Sequence, residues 1–164
     1  MKQLLFGALA AMLITACHKD APVYPSSDGS FSVNGDSYRA DHASWNTEGH
    51  YLLIENEPPM DIDSAGAADF LYNFVFIQMD DFQQGEYTAQ PHRGNKGVFG
   101  EATVITDRLA NSHNPEEVMY TGVKHGQLSI TSDNDGGTYT IEYNLNFPNG
   151  VNVNGSYTGT VEQQ

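Results

Sequence analysis

The residues of this chain that could perform chemistry are mainly carboxylates. The sequence has 164 residues, of which 21 are Asp or Glu and seven are Lys or Arg, so its formal net charge is −14. Three acidic pairs stand in predicted loops: Asp61 with Asp63, Asp80 with Asp81, and Asp133 with Asp135. Carboxylate oxygens are calcium ligands, but the loop at Asp133 lacks the distal glutamate of a calcium-binding loop. A tight Asx-rich hairpin loop explains it more simply. We therefore expect no cofactor and keep calcium at Asp133 and Asp135 as the alternative.

The sequence has no set of residues arranged for nucleophilic catalysis. A catalytic nucleophile needs a base that a third group orients, and no Gly-x-Ser-x-Gly motif is present. Zinc would need three or four converging ligands, whereas these histidines are scattered: His42, His50, His92, His113 and His125. Carboxylates are numerous enough for a glycosidase, but two of them must stand at a fixed separation. We therefore expect that the protein is not an enzyme.

Trp45 is the only tryptophan and the candidate aromatic contact for a carbohydrate, because sugar faces pack against exposed aromatic rings. Burial in the core is the more common state of tryptophan and is the alternative. The strong negative charge repels nucleic acid and anionic lipid head groups. No nucleic-acid partner is therefore expected.

Alternation of apolar and polar residues with a period of two recurs from Phe31 to Val161 and predicts strands. The apolar face of the clearest strand consists of Tyr139, Ile141, Tyr143, Leu145 and Phe147. Pro148-Asn149-Gly150 then matches a three-residue hairpin loop, with glycine in the left-handed position. The resulting register puts Tyr143 opposite Gly155 and Tyr139 opposite Gly159, where each ring can cover a glycine. A slip of one residue would bury the polar face, so the register should be firm.

Further strands are predicted around the Asn34-Gly35 turn and at 51–55, 70–79, 86–89, 98–106, 118–123 and 127–131. The segment Phe70 to Met79 is apolar on both faces, which predicts a central strand buried on two sides. The only helix signal, Asn114-Pro115-Glu116-Glu117, predicts a single turn. About eight to ten strands predict an all-β fold: an antiparallel β-sandwich or a flattened meander barrel, with a lipocalin-like up-and-down barrel as the alternative.

A strict meander would place alternate loops at opposite ends of the domain. The connections near Asp80 and Asp107 would then share one end with residues 17–29, the segment that precedes the β domain. Arg93, Lys96 and Lys124 would gather at the other end and are half of the basic residues that follow Cys17. The long loop from Glu57 to Asp69, which is acidic at Asp61 and Asp63, would lie at the same end. Loops at such a rim often carry binding sites; irregular surface is the alternative. The candidate binding rim consists of Asp61, Asp63, His92, Arg93, Lys96, Lys124 and His125.

The N-terminal segment predicts that the protein is exported from the cytoplasm. Lys2 precedes an uncharged, mostly apolar run from Leu4 to Thr15, which is typical of a secretory signal peptide and too short to span a membrane. Ile14-Thr15-Ala16-Cys17 resembles the lipobox of bacterial lipoproteins. The resemblance implies cleavage before Cys17 and acylation of its sulfur, with palmitate as an expected modification. A plain signal peptide is the alternative, but it would leave an unpaired thiol in an oxidising compartment, which is uncommon.

Three segments follow from this interpretation: a signal peptide at 1–16, a lipidated cysteine and flexible tether at 17–29, and one β domain at 30–164. Cleavage removes Lys2, so six basic residues remain against 21 acidic ones and the charge becomes −15. The tether is rich in Pro, Ser, Asp and Gly, which favours disorder. His18-Lys19-Asp20 resembles the export signal of surface lipoproteins of the Bacteroidetes. The predicted location is the outer membrane, on its periplasmic face or at the cell surface.

The opening Phe31-Ser32-Val33-Asn34-Gly35 and the closing segment from Gly126 to Val161 resemble small β-rich lipoproteins of gut Bacteroidetes, whose function is uncharacterised. The closing segment contains Gly155-Ser156-Tyr157-Thr158-Gly159. The resemblance implies an outer-membrane lipoprotein without known enzymatic residues. We expect a non-catalytic binding or accessory module, anchored to the membrane by lipid and directed at a glycan or an envelope protein. A structural or adhesive envelope component is the alternative, and a hydrolase is the third possibility.

Overall fold

The computed structural model describes residues 27–56, 70–90, 96–109, 114–133 and 137–164. These segments form twelve strands: β1 (Asp28–Val33), β2 (Asp36–Arg39), β3 (His42–Asn46), β4 (Tyr51–Glu55), β5 (Leu71–Met79), β6 (Gly85–Ala89), β7 (Val98–Leu109), β8 (Val118–Thr121), β9 (His125–Ser132), β10 (Tyr139–Asn146), β11 (Asn152–Gly159) and β12 (Val161–Gln163). A 3-10 turn, Pro148–Gly150, joins β10 to β11. The all-β prediction is confirmed, and β1 begins at Asp28, within the predicted tether.

All twelve strands belong to one curled, mixed sheet that forms a half-barrel. The strand order is β12-β3-β4-β5-β7-β6-β9-β10-β11-β1-β2, with β8 paired to β7. Pairing is antiparallel except between β6 and β7 and between β12 and β3. Only Thr160 separates β11 from β12. The strand that pairs with β10 and β1 therefore continues directly into β12, which pairs with β3 at the other end of the strand order.

The strands do not follow the strict meander on which the predicted binding rim depends. β7 pairs with β6 in parallel, with Thr88 opposite Val98. β7 ends at Leu109, opposite Leu71, where β5 begins, whereas Asp80 follows the other end of β5. The connections near Asp80 and after Leu109 are therefore at opposite ends of β5. The predicted sharing of one end was wrong, because a single parallel pairing reverses the alternation of the loops.

The two predicted hairpin turns are confirmed. β10 and β11 pair over their full lengths in the predicted register. Their turn has left-handed backbone at Asn149 (φ 63°) and Gly150 (φ 76°). Asn34 (φ 51°) and Gly35 (φ 105°) turn the chain from β1 into β2. Asn and Gly occur at these positions because they adopt positive φ at the least steric cost.

Hydrogen bonding in the last hairpin determines which side chains approach most closely. The N–H of Phe147 donates to the carbonyl oxygen of Val151 over 2.8 Å, so these residues form a hydrogen-bonded pair. Hydrogen-bonded and non-hydrogen-bonded pairs alternate along an antiparallel ladder, and side chains are closer in the second kind. Asn144 and Asn154 form a pair of the second kind. Nδ2 of Asn144 accordingly donates to Oδ1 of Asn154.

The core lies inside the curl and receives one face of each long strand. Its largest fully buried side chains are Phe31, Leu52, Ile54, Val75, Ile77, Met79, Phe99, Leu128, Ile130, Ile141, Leu145 and Tyr157. β5 is central as predicted, between β4 and β7. Its second face is half-buried rather than buried. On that face Tyr51 packs against Phe76, with ring centres 4.8 Å apart.

Two glycines of β11 make room for neighbouring side chains. The ring and hydroxyl of Tyr143 occupy the space that a Cβ at residue 155 would need, so the predicted cover of Gly155 is confirmed. At Gly159 the covering atoms are different from those predicted. Oγ of Ser27 and the hydroxyl of Tyr157 lie 2.5 and 2.7 Å from the ideal Cβ position. The second glycine therefore accommodates Ser27, the residue before β1, and Tyr157 of its own strand rather than Tyr139 opposite it.

Two buried asparagines join β5 to its neighbours where its register against β7 shifts. Asn56 and Asn73 are 7% and 8% exposed. The N–H of Asn73 donates to Oδ1 of Asn56 (2.6 Å), and Nδ2 of Asn56 donates to the carbonyl oxygen of Leu71 (2.9 Å). Oδ1 of Asn73 accepts from the N–H of Asp107 (2.9 Å). These side chains satisfy backbone groups that the interrupted ladder leaves without strand partners.

Gly155→Ala is expected to lower the free energy of unfolding by about 1–3 kcal/mol, because the new methyl group overlaps the Tyr143 ring in a packed interior. Gly137→Ala is the control, since, its chain neighbours apart, no atom of the described segments lies within 4 Å of its ideal Cβ position. Its stability should stay within about 0.5 kcal/mol of wild type. Urea denaturation of the full chain measures both values. Equal effects of the two substitutions would contradict the packing of Tyr143 over Gly155.

The stability of the protein at alkaline pH is expected to depend on Tyr143. Its hydroxyl is buried without a hydrogen-bond partner in the described segments, and burial raises the pKa of this phenol above its ordinary value of 10.0. The unfolded chain then loses the proton first, so stability is complete below pH 10 and falls as the pH rises further. Tyr143→Phe should remove this contribution, which is about 1.4 kcal/mol per pH unit above 10.

Denaturant titrations at pH 7 and pH 11 measure this effect. At pH 7, Tyr143→Phe should be at least as stable as wild type, because it removes a buried unpaired hydroxyl. Tyr157→Phe is the matched control: its hydroxyl donates to the carbonyl oxygen of Thr160, so this variant should lose about 1 kcal/mol at pH 7. Identical pH profiles for wild type and Tyr143→Phe would show that the Tyr143 hydroxyl reaches water.

Candidate functional site

The outward surface of the half-barrel from β6 to β2 carries polar side chains in two rows that cross six strands. The first row is Glu86, Ser129, Glu142, Ser156, Ser30 and Arg39, each opposite the next in the register. The second row is Thr88, Gln127, Asn144, Asn154, Ser32 and Ser37. All twelve are exposed or half-buried, and we call this surface the polar face. The rows form because successive side chains of a strand point to opposite faces.

A groove of about 660 Å³ lies in the polar face. It is lined by Ser30, Phe31, Ser32, Ser37, Glu86, Gln127, Ser129, Glu142, Tyr143, Asn144, Asn154, Gly155 and Ser156. This volume is within the range of about 300–1,000 Å³ that is usual for ligand sites. Phe31 and Tyr143 are only 2% and 5% exposed. A ligand in the groove would therefore meet hydroxyl, amide and carboxylate groups.

Side-chain amides on the polar face orient one another. Nδ2 of Asn146 donates to Oδ1 of Asn144 (2.9 Å), and Nδ2 of Asn144 donates to Oδ1 of Asn154. Asn144 thus uses its amide oxygen towards one neighbour and its amide nitrogen towards the other. The chain of hydrogen bonds fixes the orientation of these amide groups on a rigid sheet. A fixed group loses less conformational freedom when it binds a ligand.

Glu86 and Glu142 lie on either side of Ser129 in the first row. Oγ of Ser129 donates to Oε1 of Glu86 over 2.8 Å. The two glutamates stand on strands two positions apart, a separation of roughly 10 Å between their backbones. A carboxylic acid that donates a proton in catalysis usually lies in an apolar pocket, whereas both of these side chains are exposed. The pair therefore resembles two solvated glutamates more than a catalytic acid and base.

Two smaller depressions adjoin the groove. One, of about 430 Å³, is lined by Thr88, Ala89, His125, Gly126, Gln127, Asn144 and Asn146. The other, of about 440 Å³, is lined by Asp80, Asp81, Gln83, Gln84, Gly85, Glu86, Tyr87, Lys96, Gly97 and Val98. The first shares Gln127 and Asn144 with the groove, and the second shares Glu86 with it. Both depressions therefore border the groove.

The candidate binding rim is only partly within the described segments. Lys124 and His125 lie at the beginning of β9, where the N–H of Lys124 donates to the carbonyl oxygen of Asn146 (2.8 Å). Lys96 lines a different depression from His125. Four residues of the rim lie outside the described residues: Asp61, Asp63, His92 and Arg93. Lys96 and His125 border the polar face at separate places rather than forming one described cluster.

Trp45 is 6% exposed and belongs to the core, where it stacks on Phe82 with ring centres 5.7 Å apart. Its ring is therefore unavailable as an exposed sugar contact, and the alternative of core burial is the one observed. Oδ1 of Asp133 accepts from the N–H groups of Gly137 (3.0 Å) and Thr138 (3.2 Å), four and five residues further along the chain, so this carboxylate closes its own loop. Asp135 and Cys17 lie outside the described residues. Within the described segments, no group of three or more His, Cys, Asp or Glu side chains is placed to hold a metal ion.

In the sequence, the polar side of the last hairpin was evidence only for the register of its two strands. It did not identify the groove. Ser30 and Glu86 enter the groove from β1 and β6, which are distant in the sequence from β10. The available signal was the polar face of each predicted strand. The strand order, which the sequence does not specify, decides which of these polar faces become neighbours.

No family model, curated protein or solved structure matches this chain. Among the described residues there is no helix with the length and apolar character needed to cross a bilayer. The polar face, with its groove and ordered amides, is the feature from which function is inferred.

Proposed function

We propose that this chain is a bacterial lipoprotein of the outer membrane whose β domain is a non-catalytic binding or accessory module of the cell envelope. The observation that carries the proposal is the polar face, with two unbroken rows of hydrogen-bonding side chains across six strands. Sites built on rigid strands hold their groups more accurately than sites on loops. The polar face is therefore the binding surface of the module.

The N-terminal sequence supports the membrane anchor. The lipobox-like Ile14 to Cys17 follows an apolar run, and the first strand begins at Asp28. A lipid on Cys17 would hold the domain close to one membrane face, either periplasmic or external. Stable anchoring needs more than one acyl chain, which triacylation of the cysteine would provide. The net negative charge keeps the domain itself away from anionic head groups.

A structural or adhesive role is the second candidate, because a free strand edge can pair with another chain. Within the described segments, β8 pairs with β7 alone and offers such an edge. Val118 and Met119 on β8 are 40% and 55% exposed. β8 has only four residues, however, so it offers few main-chain hydrogen bonds. The polar face spans six strands and is the larger recognition surface, which favours binding.

Palmitate labelling tests the anchor. Cells that produce the chain with its own signal segment are grown with radiolabelled palmitate. The wild-type protein is expected to carry label and to sediment with membranes, whereas Cys17→Ala should carry none because it lacks the acceptor sulfur. Ser26→Ala, a change within the tether, is the control and should label like wild type. An unlabelled wild-type chain, or label on Cys17→Ala, would contradict the anchor.

Binding to cell envelopes tests the role of the polar face. The fluorescently labelled full chain is mixed with envelope fragments of the organism that produces it, and every variant carries Cys17→Ala so that lipid does not contribute. Saturable binding is expected. Asn144→Ala with Asn154→Ala should weaken it about tenfold or more, because two hydrogen-bonding side chains are lost.

Thr140→Ala with Thr158→Ala is the matched control for this experiment. These residues lie opposite each other on the same two strands and the same outward face, but they do not line the groove. Their removal should leave envelope binding unchanged. Binding that is absent, or that both pairs of substitutions weaken equally, would contradict a binding module that acts through the groove of the polar face.

A further inference from the structure

We infer that the polar face binds a linear, uncharged oligosaccharide that lies across the strands, along the groove between the two rows. This inference rests on the proposed function and names the ligand class for the same site. Sugar hydroxyl groups both donate and accept hydrogen bonds. The side chains of the groove offer the same combination, because amides and hydroxyls carry donors and acceptors together.

The spacing of the two rows suits a chain of sugar rings. Neighbouring strands are about 4.8 Å apart, which is close to the length that one pyranose ring adds to an extended glycan. Successive side chains on one face of a strand are about 6.7 Å apart, so the two rows border a strip about as wide as a ring with its hydroxyl groups. A glycan in this strip would meet a new pair of polar side chains at each strand, such as Ser129 with Gln127 and then Glu142 with Asn144.

The hydrogen-bonding groups along the strip are partly fixed and partly open. The amides of Asn144 and Asn154 are oriented by their mutual hydrogen bond and by Asn146. Asn154 lies opposite Ser32, whose Oγ donates to the carbonyl oxygen of Asn154 over 3.5 Å. Each carboxamide has two N–H groups and two acceptor sites, so one hydrogen bond in the chain leaves capacity for a ligand. The strip therefore combines an ordered framework with unused donors and acceptors.

Charge on the strip selects against anionic sugars. Glu86 and Glu142 both line the groove and would repel a uronic acid, a sulfated sugar or a phosphate. Arg39 is the only cation in the two rows. It stands at the end of the first row, pairs with Asp41 and does not line the groove. An uncharged glycan can accept hydrogen bonds from the amides and donate to the carboxylates without this repulsion.

The groove lacks an exposed aromatic platform among its lining residues, since Phe31 and Tyr143 are buried. Stacking on sugar rings is tolerant of linkage, whereas hydrogen bonds require the ligand hydroxyls at defined positions. A site that depends on hydrogen bonds rejects a ligand that leaves its polar groups unpaired. The polar face should therefore discriminate between glycans of the same sugar with different linkages.

The inference is tested by titrating the full Cys17→Ala chain, labelled with ¹⁵N, with six uncharged hexasaccharides: β-1,4-, β-1,3- and α-1,4-linked glucose, β-1,4-linked mannose, β-1,4-linked xylose and β-1,4-linked N-acetylglucosamine. At least one should shift the side-chain amide signals of Gln127, Asn144 and Asn154, and the linkage isomers of glucose should differ in affinity. Asn154→Ala should weaken the binding about tenfold. Thr158→Ala, four residues further along the same face of β11, should stay within about twofold of wild type.

The control measurements separate a failure of this inference from a failure of the proposed function. Unchanged backbone signals of β4 and β5 in Asn154→Ala show that the variant is folded. Binding of hexagalacturonate or a glucosamine hexamer in place of every uncharged sugar would overturn the inference, as would equal weakening by Asn154→Ala and Thr158→Ala. A further outcome is that no uncharged sugar binds the chain or displaces it from envelope fragments. If protease treatment of the fragments then abolishes the binding that depends on Asn144 and Asn154, the ligand is a protein. That result would overturn the oligosaccharide and leave the binding module intact.

Discussion

The cross-strand register of β9, β10 and β11 is the constraint on which both faces of this protein depend. Side chains alternate across a strand, so one register places Leu128 and Tyr143 in the core and Gln127 and Asn144 on the surface. A slip of one residue would exchange the two sets. Apolar burial on one side thus determines which polar groups become neighbours on the other side.

Two glycines of β11 allow neighbouring side chains to pack closely against its backbone. Tyr143 fills the space that the missing side chain of Gly155 leaves, and Tyr157 and Ser27 do the same at Gly159. These contacts allow β1 to approach β11 and extend the polar rows to Ser30 and beyond. β11 continues into β12, and β12 pairs with β3 at the opposite end of the strand order. Core packing and the width of the polar face are therefore coupled.

Local patterns in the sequence predicted what local pairing determines. The β10–β11 register, the Asn34-Gly35 and Pro148–Gly150 turns and the central position of β5 were all readable, because each follows from alternation or turn chemistry within a few residues. The parallel pairing of β6 with β7 was not readable, since periodicity does not specify a partner strand. The same limit explains the site. Ser30, Glu86 and Asn144 become neighbours through strand order, so the groove could not be predicted from any one segment.

The most direct test is a measurement of proton distances across β10 and β11 in the full chain by nuclear Overhauser spectroscopy. The observed register predicts strong Hα–Hα cross-peaks between Asn144 and Asn154 and between Glu142 and Ser156, because these are non-hydrogen-bonded pairs with Cα atoms about 4.5 Å apart. Cross-peaks that join Asn144 to Val153 or Gly155 instead would show a shifted register. The two polar rows would then not exist, and the proposed binding surface would be contradicted.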